Sequence, residues 1–307
     1  MTDADAAVAD SAADSSSLAE GSAAAIPFVK MHGLGNDYVY VDGFSHRVED
    51  PAALAVRIAD RHFGVGGDGL ILVLPAEDPG QADARMRMFN ADGSEAEMCG
   101  NGIRCVCKLV HDDRLGPNPT ARPMRVQTGA GVLELDYELD ARGRVATVSV
   151  DMGRPVLEPA KVPVDESRID AELAAMSPTF VSMGNPHAVI FVDDDRPLER
   201  IELGRQLERH PAFPKRMNVH FVRVRGRAEV EVWHWERGSG ATLACGTGAC
   251  AVCVAGVLTG RTDRRITAQL PGGPLELEWP GEEASVTMIG PATEVFRGRW
   301  VDPAGRA

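Results

Sequence analysis

The sequence predicts an α/β (α+β) protein with two pseudo-symmetric domains, because the same order of elements occurs twice. The segment 35–42 resembles the segment 184–193, since in each a Gly-Asn pair precedes an apolar run. A second matched pair is Cys-Gly-x-Gly, which opens an apolar helical stretch at Cys99 and again at Cys245. The second cysteine motif begins 146 residues after the first (245 − 99), so the repeat is too long for a solenoid, whose periods are about 20 to 50 residues. In a chain of 307 residues, it predicts two domains, 26–155 and 156–302.

The first copy alternates strands and helices. Short apolar runs bounded by Gly, Pro, Asn or Asp predict strands, and apolar residues at helical spacing predict helices. A helix is expected over 51–62, with Pro51 at its first position, and another from Cys99 to about His111. Strands are expected over 26–31, 38–42, 69–74, 84–89, 125–128, 132–139 and 145–151.

Composition and charge limit which binding partners and which cell compartment are expected. The net charge of −13 argues against nucleic acid, which usually needs a basic face. No apolar run approaches the roughly 20 residues of a membrane helix. The segment 1–25 carries Asp and Glu but no Lys or Arg, so it resembles neither a secretory signal nor a transit peptide. We expect an unstructured tail there, and a protein of the cytoplasm.

The six cysteines form two tight clusters, one at 99–107 and one at 245–253. Disulfide frameworks usually spread their cysteines through a small secreted chain, so catalysis, metal binding or core packing fits better. Cys250 and Cys253 have zinc-like spacing, but eight residues of helix separate Cys245 from Cys253, about 12 Å along the axis. Zinc–sulfur bonds of about 2.3 Å cannot span that distance, so no metal site is expected. The cysteines inside the helices are expected to be core residues.

Cys-Gly-x-Gly at the start of a helix combines two chemical properties. The free N–H groups and partial positive charge of the helix can hold a carboxylate, which the glycines allow to approach closely. The same charge favours a thiolate, so the pKa of Cys99 and Cys245 is expected to fall from about 8.5 toward neutrality. A thiolate facing a thiol across a carbon acid is what racemisation by two bases requires.

Polar residues before each cysteine support this interpretation. Asn90 precedes Cys99, and Glu236 precedes Cys245, by nine residues each. Arg237 could hold a carboxylate through two hydrogen bonds. Each of these could also be an ordinary surface residue. Asn36 and Asn185 could simply form turns, and His187 could be an ordinary strand histidine.

Taken together, these motifs resemble the diaminopimelate epimerase family. The resemblance covers about residues 26–300 and implies two similar domains, each a strongly curved mixed sheet wrapped around a central helix, and a homodimer. It also implies conversion of LL-2,6-diaminopimelate to the meso form, for lysine and peptidoglycan synthesis, without pyridoxal phosphate, metal or any other cofactor. The matching segments are KMHGLGND (30–37), RHFGVG (61–66), FNADGSE (89–95), CGNGIRC (99–105), GNPH (184–187), MNV (217–219), ERG (236–238) and ACGTGAC (244–250).

The resemblance also implies roles for individual residues. Cys99 would donate a proton to the LL substrate's carbon and Cys245 would accept one, while His187 and Glu236 would adjust the thiol pKa values. Many relatives carry a substrate-contacting Gln where this chain has Gly69, so that contact is absent or replaced. The amino-acid substrate would be bound by Asn36, Asn90, Gly100, Asn101, Asn185, Asn218, Glu236, Arg237, Gly246 and Thr247.

Two alternatives remain open on the sequence. One is another epimerase with two cysteines, of the proline racemase or hydroxyproline epimerase type. The other is a thiol protein with a redox or structural role, which would turn over no amino acid.

Overall fold

The computed structural model describes residues 25–193 and 197–301, so almost all of the predicted acidic tail lies outside the described residues. The helices are α1 (Pro51–Ile58), α2 (Gly100–Asp112), α3 (Ala171–Ala175), α4 (Pro197–Leu207) and α5 (Gly246–Leu258), with a 3-10 turn at Glu166–Arg168. The strands are β1 (Ile26–Gly33), β2 (Asn36–Asp42), β3 (Gly69–Leu74), β4 (Ala84–Asn90), β5 (Glu95–Ala96), β6 (Met124–Thr128), β7 (Gly131–Leu139), β8 (Val145–Asp151), β9 (Thr179–Ser182), β10 (Pro186–Phe191), β11 (Asn218–Gly226), β12 (Glu229–Glu236), β13 (Gly240–Ala241), β14 (Arg265–Leu270), β15 (Gly273–Glu278), β16 (Thr287–Pro291) and β17 (Thr293–Trp300).

The strand pairings occur in the same order twice. In the first half, β2 pairs antiparallel with β1 and parallel with β3, and β4 pairs antiparallel with β3 and parallel with β6. In the second half, β10 stands in the same relation to β9 and β11, and β12 to β11 and β14. Strands β8 and β16 join the two halves, and β17 returns to pair with β1. The predicted mixed α+β class is confirmed.

Helices α2 and α5 lie inside the curved sheet. A helix that is buried on all sides must be enclosed by other elements. Helix α2 is buried from Gly100 to His111 and contacts β1 and β8, whereas α5 is buried from Gly246 to Gly256 except at Thr247 and contacts β9, β10 and β15. The two helices contact each other, and their first residues lie close together, since a Cβ built on Gly246 would be 3.8 Å from the Cα atom of Gly100.

The predicted helix at 51–62 is shorter than expected and ends at Ile58. The following loop folds back and caps its last turn, since the carbonyl of Ile58 accepts hydrogen bonds from Val65 (2.9 Å) and Gly66 (3.0 Å). These loop amides take the place of the next helical turn. The other expected strand boundaries differ from the observed ones by at most two residues.

In the part of the chain that the structure describes, no helix combines the length and the apolar character needed to span a lipid bilayer.

Candidate active site

A cavity of about 1100 Å³ lies where the two halves meet, at the N-termini of α2 and α5. Most of the residues expected to act on the substrate line it. Three expected residues are not in its lining. His187 and Asn218 are buried, whereas Arg237 is exposed and donates to the carbonyl of Lys215 at 3.0 Å. The expected residues in its lining are Asn36, Asn90, Cys99, Gly100, Asn101, Asn185, Glu236, Cys245, Gly246 and Thr247.

The two glycines that follow the cysteines lie side by side. A Cβ built on Gly246 would be 3.8 Å from the Cα atom of Gly100 and 3.1 Å from the Sδ atom of Met288. Only glycine lets the two helix ends approach this closely with Met288 packed against both. The positive ends of two helix dipoles therefore point into one cavity, which is a suitable environment for a carboxylate.

Cys99 is the N-cap residue of α2, and its sulfur makes hydrogen bonds in both directions. Its Sγ accepts from the amide of Gly102 at 3.3 Å and donates to Oδ1 of Asn36 at 3.3 Å. Burial raises the pKa of Cys99 above its ordinary value, although the amides of Gly102 and Asn101 and the charge of Arg104 act in the opposite direction. The prediction that this pKa falls toward neutrality is therefore wrong.

Asn36 is oriented by Asp68, a residue to which the sequence analysis gave no role. The Nδ2 atom of Asn36 donates to Oδ2 of Asp68 at 2.7 Å, which leaves Oδ1 to face Cys99. Arg61 donates to the other oxygen of Asp68 at 2.9 Å, and both residues line the cavity. A Cβ built on Gly69 would lie 2.0 Å from the carbonyl oxygen of Phe89, so no side chain fits there with this backbone. The carboxylate of Asp68, the residue before Gly69, lines the cavity.

Cys245 is the N-cap residue of α5, and, unlike Cys99, it is affected mainly by burial and by one carboxylate, that of Glu236. Its sulfur lies 3.7 Å from Oγ1 of Thr247, and the carboxylate of Glu236 acts on its pKa. Burial raises the pKa of Cys245 far above its ordinary value, and the negative charge of Glu236 adds to this effect. Burial also raises the pKa of Glu236, whose carboxylate accepts a hydrogen bond from the hydroxyl of Thr242. The expected fall in the pKa of Cys245 is wrong for the same reason as at Cys99.

The remaining expected residues support the walls of the cavity. Asn101 is buried and donates to the carbonyl of Ala244 at 3.4 Å, which ties the start of α2 to the residue before Cys245. Asn218 donates to the carbonyl of Pro186 at 2.7 Å and accepts from the amide of Arg237 at 2.9 Å. It therefore joins two strands that border the site.

His187 makes no hydrogen bond with a thiol in the structure. Its Nε2 atom contacts Oδ1 of Asn185 at 2.8 Å, and its Nδ1 atom contacts His220 at 2.8 Å. Any effect of His187 on a thiol is therefore indirect and passes through its neighbours.

All six cysteines are free thiols. Cys105, Cys107, Cys250 and Cys253 are fully buried in the hydrophobic core, as expected for core residues. Among residues 25–193 and 197–301, no group of three or more His, Cys, Asp or Glu side chains is arranged to hold a metal ion.

Comparison with known proteins identifies the family of this chain. The family model described as diaminopimelate epimerase matches residues 28–158 and 179–295. The diaminopimelate epimerase of Acetivibrio thermocellus is 49% identical over 280 residues, which is 88% of this chain and 97% of that protein. The diaminopimelate epimerase of Desulforudis audaxviator is 52% identical over 282 residues, which is 89% of this chain and 99% of that protein.

A solved structure extends the comparison to the fold. The crystal structure of a hydroxyproline epimerase from Agrobacterium vitis superposes with a TM-score of 0.62 at 16% identity, covering 92% of this chain and 94% of that one. At this identity the likeness establishes a common fold alone. The sequence matches go further, because they span most of both chains at about half identity. The chain therefore belongs to the diaminopimelate epimerase family of isomerases.

Proposed function

We propose that this enzyme interconverts LL-2,6-diaminopimelate and meso-2,6-diaminopimelate, with Cys99 and Cys245 as its acid and base and without a cofactor. The observation that carries the proposal is the pair of cysteines at the N-caps of two helices whose first residues lie close together beside one cavity. The helix ends would hold the substrate's carboxylate and stabilise the negative charge that develops when the α-hydrogen is removed.

The two sulfurs have surroundings that suit opposite roles. Cys99 donates its hydrogen to Asn36 and its pKa is raised by burial, so this thiol is suited to act as the acid. The carboxylate of Glu236 acts on the pKa of Cys245, and it would accept the proton of this cysteine and leave a thiolate. In the LL direction, the thiolate of Cys245 takes the α-hydrogen, and Cys99 delivers its proton to the opposite face of the carbon. Cys99 is then the thiolate and Cys245 the thiol, as the reverse reaction requires.

Several further properties belong to the same proposal. The polar residues of the cavity would bind the amino-acid substrate, and the domains would divide at 155–156, with β17 packed back on β1. The enzyme would act in the cytoplasm of the cell as a homodimer. The net charge of −13 supports the expectation of no nucleic-acid partner.

The test is isotope exchange measured at the initial rate in deuterated water, with the LL and the meso isomer as substrate in turn. A thiol exchanges its hydrogen with solvent between turnovers. A two-base enzyme therefore puts solvent deuterium into the product from the start, whereas the substrate pool gains it only after product returns. A single base would return the same hydrogen or deuterium to either face. Early deuterium in recovered substrate, equal to that in product, would contradict the two-base proposal.

Variants of single cysteines distinguish the cysteines of the active site from those of the core. Cys99→Ala and Cys245→Ala should each abolish epimerisation, whereas Cys250→Ala, in the core beside the site, should retain it. Purified protein should be assayed without added cofactor, with diaminopimelate, proline and hydroxyproline. Turnover of proline or hydroxyproline alone would contradict the proposed substrate, and turnover of none of them would favour a redox or structural thiol protein.

A further inference from the structure

Three buried histidines form a continuous hydrogen-bonded chain behind the cavity. The chain begins at Oδ1 of Asn185, which contacts Nε2 of His187 at 2.8 Å. Nδ1 of His187 contacts Nε2 of His220 at 2.8 Å, and Nδ1 of His220 contacts Nδ1 of His234 at 2.8 Å. His187 and His220 are fully buried, and His234 is 5% exposed. Asn185 lines the cavity, so one end of the chain lies in the active site.

The three rings are neutral at physiological pH. Burial lowers the pKa of His187 to about 3 and that of His234 to about 4, and it lowers the pKa of His220 well below its usual value. A neutral imidazole has one nitrogen that donates and one that accepts. Each ring must therefore receive a hydrogen bond on one side and donate one on the other. The whole chain has only two self-consistent directions.

The far end of the chain selects between these directions. Nε2 of His234 is buried and has no hydrogen-bond partner among the residues that the structure describes. A buried N–H group without an acceptor is rarer in proteins than an acceptor whose lone pair is unfilled. The unpartnered Nε2 atom of His234 is therefore the bare acceptor nitrogen, and its hydrogen is on Nδ1.

Starting from His234, we infer that each histidine donates its hydrogen bond toward the cavity. The last of them, His187, thereby fixes the orientation of the Asn185 carboxamide. Nδ1–H of His234 donates to His220, Nε2–H of His220 donates to His187, and Nε2–H of His187 donates to Oδ1 of Asn185. The amide oxygen of Asn185 is used by the chain, so its NH₂ group is the part left for a ligand. His187, His220 and His234 are positioning residues in this scheme, and none of them needs to contact the substrate.

The orientation of Asn185 determines which group of the substrate it can bind. This step rests on the proposed amino-acid substrate. An amide NH₂ group donates hydrogen bonds, so it binds a carboxylate oxygen and not an ammonium group. The histidine chain therefore makes Asn185 selective for the carboxylate of the substrate. With the opposite direction, Asn185 would present its oxygen and would bind an ammonium group.

The direction can be measured without any substrate. In protein labelled with ¹⁵N at histidine, long-range ¹⁵N–¹H spectra identify which ring nitrogen carries hydrogen. Between about pH 5 and pH 8, His187 and His220 should carry it on Nε2 and His234 on Nδ1. The exposed His46 serves as the internal reference, because it lies outside the chain. Hydrogen on Nδ1 of His187 and His220 and on Nε2 of His234 would overturn the inference, whatever the enzyme's substrate.

A single substitution tests the consequence for binding. Asn185→Asp keeps an oxygen for His187 but replaces the NH₂ group with a second oxygen. KM should rise about 10- to 100-fold, since a hydrogen bond to a charged group is lost, while kcat changes less. The unfolding midpoint should stay near that of the unmodified enzyme, because the bond to His187 remains. An unchanged or lower KM would mean that the oxygen of Asn185 faces the substrate, and would overturn the selectivity of Asn185 for a carboxylate even if the tautomers are as expected.

Discussion

The guanidinium of Arg104 donates to the carbonyl oxygen of Gly100 at 3.1 Å, beneath the start of α2. The side chain is fully buried, and its other acceptors are the neutral Oδ1 of Asn101 (3.0 Å), the carbonyl of Pro291 (3.1 Å) and the sulfur of Met288 (3.6 Å). None of these partners is a carboxylate. A buried charge normally has an opposite charge beside it. In this site, the negative charge can come from the thiolate of Cys99 or from a bound carboxylate.

Replacing Arg104 should therefore make Cys99 harder to ionise. The charge of Arg104 acts to lower the pKa of Cys99, so in Arg104→Met the pH midpoint for alkylation of Cys99 should rise. The fraction of thiolate near neutral pH would then fall. Peptide mapping after iodoacetamide treatment at a series of pH values measures this. Arg104→Lys keeps the charge and is the matched variant. An unchanged midpoint in Arg104→Met, with the fold intact, would show that the charge does not act on Cys99.

Glu236→Gln should have the opposite effect on the other thiol. Burial raises the pKa of Cys245 first, and the negative charge of Glu236 raises it further, so removing the charge should shift the alkylation midpoint of Cys245 to lower pH. Turnover should still fall, by about 10²- to 10⁴-fold, since the group that accepts the proton of Cys245 is gone. Glu229→Gln, an exposed change on the same strand, controls for surface charge. A midpoint that moves to higher pH would contradict this assignment.

The carboxylate of Asp112 should stabilise the fold in a pH-dependent way. Burial alone would raise its pKa, but hydrogen bonds from Lys108, His111, Val145 and Arg144 outweigh burial and hold the pKa at about 2, below the ordinary 3.8. A pKa lowered in the folded state adds stability above the unfolded value and loses it as the pH falls toward the folded value. Asp112→Asn should cost about 2 kcal/mol near pH 7 and less near pH 3, as measured by urea unfolding. An equal loss at both pH values would exclude the carboxylate's charge as the cause.

Oxidation should link Cys99 to Cys245 and stop turnover reversibly. A disulfide needs Cβ atoms about 3.5 to 4.5 Å apart, and the glycines after the two cysteines already lie close together. Mass-spectrometric mapping of oxidised enzyme should find this cross-link, and reductant should restore activity. A cross-link that joins other cysteines, or activity that does not return, would count against it. Cys250→Ser should oxidise like the unmodified enzyme.

The repeated motifs predicted the fold and the cavity, because each copy of Cys-Gly-x-Gly begins a central helix. The pKa direction of Cys99 was not predictable in the same way. The position at a helix start can be read from the sequence, but the depth of burial depends on the strands that enclose the helix. His220 and His234 were missed because they meet only through the register of β11 and β12, which pairs them across two strands. Arg104 resembles an exposed helix residue until the enclosing sheet is known.

The second glycine of the Cys-Gly-x-Gly motif has different surroundings in the two copies, at Gly102 and at Gly248. A Cβ on Gly102 would lie 2.8 Å from Cδ1 of Ile71, the flexible end of a side chain that can move. A Cβ on Gly248 would lie 2.3 Å from Cε1 and 2.8 Å from Nε2 of His220, a ring held by hydrogen bonds on both sides, and 3.0 Å from Sγ of Cys245.

Alanine should therefore be tolerated at Gly102 and harmful at Gly248. In a helix, Gly→Ala alone gains about 0.5 to 1 kcal/mol, which offsets a small adjustment of Ile71. At Gly248 the added carbon must displace His220 or Cys245, and overpacking of this kind costs about 1 to 3 kcal/mol. Gly248→Ala should lower both the free energy of unfolding and kcat/KM, whereas Gly102→Ala should change the free energy of unfolding little. Urea unfolding and initial rates of the two variants measure the difference, and equal effects at both positions would show that the ring of His220 yields as easily as the end of Ile71.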